Sequence, residues 1–207
     1  MNYTEFKDEM KEFPLLSIRE IQKHFPHFDN RRLVEWQEKG YIRKLRNQFY
    51  HFSDQEVDEA FLYFSANEMY HPSYVSLESA LSHYGFIPEG VFQITSCTTL
   101  KTQIFDTHLG GFSYRHLKPD LFFGYHLQDW NNHRYAIATP EKTLIDYLYL
   151  HTELKGPDDL KSLRWNAIEI IEQISMDKLN SYKNYIDSPT LNKRMNILID
   201  FLNVNAE

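Results

Sequence analysis

Cysteine is almost absent from these 207 residues: Cys97 stands alone. One thiol forms no intramolecular disulfide and supplies no cysteine cluster for a metal. Lying in an expected strand, it reads as a buried structural thiol. Long apolar runs are absent too. No stretch of about 18 apolar residues occurs, so no helix is expected to span a bilayer. The opening MNYTEFKDEMKEF is charged and amphipathic, unlike a signal peptide. There is no phosphate-cradling P-loop and no dinucleotide fingerprint. Ten histidines are scattered, with no His-x-x-x-His pair on one helix. These absences lead us to expect a cytoplasmic protein with no cofactor, no metal and no membrane partner.

What is present is a core and a charge split. Hydrophobic residues make up 42% of the chain and aromatics 15%, enough to bury a core and to exclude a disordered tail. The formal net charge of −7 argues against a protein that coats nucleic acid everywhere. Its distribution is uneven. Residues 1–52 hold ten Lys and Arg against eight Asp and Glu; the rest holds twelve against twenty-one. Within 19–51 the balance is eight against four. A basic module is joined to an acidic one, as suits one part for DNA and another for a different partner.

In the basic part, Tyr3, Phe6, Met10 and Phe13 recur at helical spacing, and Pro14 ends that helix. Ser17 to Glu20 reads as a capping box, with Leu16 and Ile21 as its hydrophobic staple. A short turn follows, and Asp29 is expected to cap a third helix ending at Lys39-Gly40. Leu33 and Trp36 mark its core face; Arg31, Glu35 and Glu38 point away. Tyr41–Leu45 and Phe49–Phe52 read as two strands around Arg46-Asn47-Gln48. Helix, turn, helix and hairpin at these lengths are expected to form a winged helix-turn-helix over 1–53. The expected DNA contacts are Asn30, Arg31, Arg32 and Lys39 on the third helix and Arg43, Lys44, Arg46 and Asn47 on the wing. Arg31 or Arg32 can reach a guanine edge. Glu35 and Glu38 oppose phosphate on the same exposed face. The alternative for this unit is a protein-contact surface with solvated charges.

Residues 54–71 read as a connecting helix, started by a second capping box at Ser53–Glu56, and a hinge-like loop from Asn67 to Pro72. From 72 to 207 the expected order is helix, short strands, helix, then a helical C-terminal region. Ser76 is expected to cap the first of these helices and Gly85 to end it. Strands are expected at 91–97, 102–105, 111–117, 121–126 and 134–138 from their β-branched and aromatic content. Thr139 caps the next helix, with Pro140 at its first position. The fold class is thus α+β: a winged helix, a mostly antiparallel sheet with flanking helices, and a helical tail. The tail is either a bundle on the sheet or a docking surface.

The segments PSYVSLESALSHYG, ITSCTTLKTQIF, GGFSYRHLKPDLFFGY and ATPEKTLIDYL resemble the C-terminal half of bacterial AbiEi-type antitoxins. With the basic unit before them, the resemblance covers roughly 17–150. It implies transcriptional autoregulation at the protein's own promoter and neutralisation of a cognate nucleotidyltransferase-like toxin. Members of that family often carry glycine in the wing turn; here Asn47-Gln48 stands there, and Asn tolerates the left-handed conformation. Glu141, Lys142 and Asp146 of the TPEKTLIDYL motif fit either a partner contact or a salt-bridged helix start. The toxin's own chemistry needs a Gly-Ser turn followed by paired aspartates for magnesium. Gly110-Gly111-Phe112-Ser113 is followed by no such pair, so no catalytic residue is expected. A nuclease built on Asp120, Glu153 and Lys155 is the enzyme reading weighed against that. A stand-alone regulator answering a small ligand is the other alternative. Oligomeric state is left open.

Overall fold

The computed structural model describes residues 1–205, so residues 206 and 207 of the expected 72–207 module lie outside it. The chain is α+β. Among the described residues it forms ten α-helices, a three-stranded sheet and a mixed six-stranded sheet. No helix among them is long and apolar enough to cross a membrane.

The first unit contains helices α1 (Tyr3–Met10), α2 (Ile18–His24) and α3 (Arg31–Glu38) with strands β1 (Leu16–Ser17), β2 (Ile42–Arg46) and β3 (Phe49–Phe52). Asn2 and Glu5 cap α1 reciprocally, each side chain taking the other's N–H at 2.9 Å. Ser17 Oγ accepts from Glu20 N–H at 3.0 Å and starts α2. The sheet order is β1-β3-β2, all antiparallel. Phe6, Met10, Leu16, Ile21, Leu33, Trp36, Ile42 and Phe52 close one cluster, each large side chain adding about 1.5–3 kcal/mol by leaving water. In the β2–β3 turn, Gln48 rather than Asn47 takes the left-handed conformation, at φ +71°. A β-bulge interrupts β2 between Lys44 and Arg46. Bulges re-aim side chains, and the Leu45 beside it is buried in the next unit's cluster, not its own.

The central unit begins with α4 (Glu59–Met69) and β4 (Ser73–Val75), then α5 (Leu77–His83), β5 (Gln93–Thr98), β6 (Gln103–Thr107) and β7 (Gly110–His116). A 3-10 turn at Pro119–Leu121 precedes β8 (Tyr125–Trp130), β9 (His133–Ala138) and α6 (Pro140–Leu150). The strand order is β6-β7-β5-β4-β9-β8. The β4–β9 and β5–β7 pairings are parallel and the other three antiparallel. Neighbouring residues of β4 face opposite ways. Val75 joins Ile94, Phe112, Ile137 and the α4 residues Phe61 and Tyr63; Tyr74 joins Cys97, Ala136 and Ala138. The expected capping box at Ser53–Glu56 starts no helix. Asp54 pairs with Lys7 instead, and Asp58 caps α4 through Phe61 N–H. The expected hinge shrinks as well, since α4 runs on to Met69. Far from a free connector, α4 is buried along its length.

Helices α7 (Pro157–Ser162), α8 (Ala167–Gln173), α9 (Met176–Ile186) and α10 (Pro189–Val204) complete the chain. Leu191, Met195, Leu198 and Leu202 of α10 pack with Leu144, Ile145 and Leu148 of α6. Of the two readings of the tail, the bundle is the one formed.

Candidate functional site

The basic surface of the first unit follows from its two amphipathic elements. Leu33 and Trp36 hold α3 in the core, which leaves Arg31 and Lys39 exposed and Arg32 half-buried. Asn30 occupies the N-cap, but its side chain makes no capping bond. Asp29 caps nothing through N3. It accepts from Arg31 N–H at 3.0 Å and from Arg31 Nε at 3.1 Å on both oxygens. The Arg31 hydrogen bond holds the Asp29 carboxyl below the usual carboxylate range. Lys39 Nζ lies 2.6 Å from Glu35 and likewise lowers it. Both pairs are solvent-exposed and contribute little. Among the described residues, Arg32, Arg43 and Lys44 have no ion-pair partner within 4.0 Å. Arg43 and Lys44 are adjacent and exposed on β2, and Asn47 is exposed at the turn.

Arg46 departs from that expectation. Its guanidinium donates to the Met69 carbonyl at 2.9 Å and lies 3.4 Å from the centre of the Phe105 ring. It bridges the first unit to α4 and β6 rather than facing solvent, because the bulge turns the end of β2 toward the central sheet. Desolvation there pushes its pKa down. A cation–π contact at such a partly desolvated site contributes about 1–2 kcal/mol.

Two histidines lie at the same junction. His51 Nδ1–H donates to the Phe52 carbonyl at 2.8 Å, which leaves its Nε2 to accept from His108 Nε2–H at 3.0 Å. Burial pushes both rings below their ordinary value of 6.5, and Arg43 adds to each shift. Their unfolded forms therefore bind more protons than the folded ones. The junction is at full strength above the ordinary histidine range and loses stability as pH falls through it. Melting measured from pH 7.5 down to about 5.5 should drop for the native chain and drop less for His108→Asn. Equal drops in the two chains would disprove the assignment.

Glu141, Lys142 and Asp146 are 3%, 0% and 1% exposed. A direct contact with another protein is thereby corrected, because no partner reaches a side chain sealed in the core. Lys142 Nζ donates to Tyr74 Oη at 2.8 Å and forms a short ion pair with Asp146. The other Asp146 oxygen accepts from Tyr74 Oη and Ser76 Oγ, both at 2.8 Å. Burial, then the Asp146 charge, raises the Tyr74 pKa well above its usual value. Burial also pushes Cys97, beside this group, well up, so its thiol is held neutral and unreactive. Gly124 is pressed against this lysine: a Cβ there would lie 3.0 Å from Lys142 Cγ. Ser76 stands at the N-cap of α5 yet spends its hydroxyl on Asp146 and not on the helix. Burial pushes the Glu141 carboxyl up, but Ser175 N–H and Lys178, each 2.9 Å away, outweigh it and hold it below the usual range. Glu141 thus ties α9 to α6.

Asp120 lies in the 3-10 turn, while Glu153 and Lys155 follow α6; all three are exposed. Among the described residues, no three of His, Cys, Asp and Glu are grouped to hold a metal ion. Sequence reasoning missed Tyr74, which lies in a strand of only three residues, and gave Ser76, just after that strand, a capping role in place of its bond to Asp146. It also missed a groove of about 520 Å³. Glu78, Phe92, Gln93, Arg115, Tyr147 and Trp165 are among the residues that line it. No protein-family model matches the chain, and the curated proteins contain no significant match.

Proposed function

We propose that this chain is a DNA-binding antitoxin and autorepressor, located in the cytoplasm, that counteracts a nucleotidyltransferase-like toxin. The observation that carries the DNA half is the hairpin after α3, where Arg43 and Lys44 stand exposed and unpaired among the described residues. In this reading residues 1–53 are a winged helix-turn-helix, α3 enters the major groove and β2–β3 is the wing. The antitoxin-like module is 72–207 together with α4, which the sequence assigned to a connection over 54–71 and which packs into the module's core. Phosphates are held by Arg43 and Lys44; the first N–H groups of α3 are already bonded to Asp29 and Asn30. Asn30 and Arg32 have side chains free to face base edges. Arg31 and Lys39 join only by exchanging their carboxylate partners for phosphate, a small cost at exposed sites.

The toxin half rests on the resemblance and on charge. The acidic balance beyond residue 52 suits a basic, nucleotide-binding partner face and mainly quickens association. Two measurements test the reading together: anisotropy binding to the chain's own promoter fragment, and growth on co-expression with the neighbouring toxin. Binding no tighter than to unrelated DNA defeats the first half; unrelieved toxicity from a folded chain defeats the second.

The same reading assigns no catalytic residue. The purified chain should leave DNA and RNA intact with magnesium or manganese. Cleavage abolished by Asp120→Ala or Glu153→Ala would establish the nuclease instead. The groove beside Phe92 favours one further alternative, a regulator that answers a small ligand through its central unit.

A further inference from the structure

We infer that β8 is a self-pairing edge, through which two copies of this chain join their six-stranded sheets. The strand's hydrogen-bond parity fixes how. Thr139 N–H bonds the Gly124 carbonyl at 2.9 Å, and the register runs on from Tyr125↔Ala138 to Trp130↔His133. In an antiparallel ladder bonded and non-bonded pairs alternate. Gly124, His126, Gln128 and Trp130 therefore bond β9. The backbone N–H and C=O groups of Tyr125, Leu127 and Asp129 point outward, away from the sheet. The tight turn at Asn131-Asn132, both at positive φ, closes the hairpin on the same parity.

That outward row is symmetric about Leu127. An antiparallel copy placed on it sets Leu127 against Leu127 and Tyr125 against Asp129 at either end. Each facing pair then exchanges two backbone hydrogen bonds, and no outward group is left over. The side chains suit the same register. Leu127 is 58% exposed in the single chain and would be covered by its own copy. Asp129 is neutralised by Arg134 at 2.8 Å and would meet a tyrosine, so no like charges stand opposite. On the other face His126 would meet Gln128.

Edge strands that stay single are usually guarded by proline, lysine, a bulge or a covering element. β8 carries neither proline nor lysine, its register is unbroken, and its first five residues are exposed. The opposite edge differs: the first unit lies against β6, with the Arg46 guanidinium over Phe105. A second copy is favoured over a foreign strand because its side chains suit this register: Leu127 covers Leu127, and Asp129, already paired with Arg134, meets Tyr125. The pairing holds whether or not the chain binds DNA.

Sedimentation equilibrium of the full chain tests it. The native chain should be a dimer. Leu127→Pro should be a monomer with unchanged circular dichroism, since the N–H it removes makes no bond to β9. Leu127→Lys provides a second break that leaves the backbone alone. Facing residues of a bonded pair have Cα atoms about 5.5 Å apart, within disulfide reach. Leu127→Cys should therefore oxidise to a covalent dimer, and Gln128→Cys should not, as its copy is not opposite. Cys97 is fully buried and does not compete. A monomeric native chain overturns the inference, as does a dimer that survives both Leu127→Pro and Leu127→Lys. Crosslinking through position 128 in place of 127 overturns the register.

Discussion

Replacing Asp146 by Ala should destabilise the chain by about 3–5 kcal/mol, the usual consequence of stranding one buried charge. Lys142 is wholly enclosed, and Asp146 is its ion partner. The substitution also removes the acceptor for Tyr74 and Ser76. A buried donor without an acceptor costs about 1–3 kcal/mol, although these effects overlap and do not simply add. At roughly 2–4 °C per kcal/mol for a chain of this size, melting should fall by about 10 °C. Asp146→Asn should fare little better, because it keeps the shape and leaves the ammonium unpaired. Lys142→Met with Asp146→Leu should be milder than Asp146→Ala, since it removes both charges together and leaves only the Tyr74 and Ser76 hydroxyls without their acceptor. Thermal melts of Lys142→Met, Asp146→Leu and the double close a cycle on the pair. A single substitution that shifts melting by a degree or less would show that the network bears no weight.

Alanine at Arg43 and Lys44 should weaken DNA binding on every sequence and flatten its salt dependence. Each phosphate left without its cation should lower the slope of log affinity against log salt by about 0.9. Arg46→Ala is the informative contrast. Its guanidinium already holds Met69 and Phe105, so the slope should stay unchanged while melting falls. If Arg43→Ala and Lys44→Ala leave the slope where it was, the wing does not touch the phosphate backbone. If Arg46→Ala flattens it, the arginine leaves its junction when DNA arrives.

What the sequence reveals most fully is the first unit. Its apolar spacing is regular, its hairpin is short, and both core faces repeat locally. The central sheet is less legible for a physical reason. Its strands at 93–98, 103–107, 110–116 and 133–138 announce themselves by composition, yet composition does not specify the neighbour. β4 pairs with β5, some twenty residues later, and with β9, some sixty later. Neither separation leaves a local mark, and three residues are too few for alternation to register. For the same reason the parallel pairings leave no trace in the sequence, and β8 lies a few residues later than its aromatic content suggests. Charge is a poor guide to exposure here. Glu141, Lys142 and Asp146 have the spacing of a solvated helix start, and only the fold shows Tyr74 and Ser76 closing over Asp146. Arg46 reads as a wing residue until the bulge at Leu45 turns it inward.

The sheet order also sets a timetable for synthesis. Every residue of the first unit's cluster lies between Tyr3 and Phe52, so that unit can close while the rest of the chain is still being made. The central sheet has no such freedom. Its interior strand β4 needs β9 on one side, and β9 ends at Ala138. Until that point has left the ribosome, the apolar face of α4 and the hairpin of β6 and β7 remain without their full cover. Pairings between distant segments form slowly and leave aggregation-prone surface exposed in the interval. In a cell, the vulnerable interval for the α4 face opens with residue 59 and closes only once β9 has emerged.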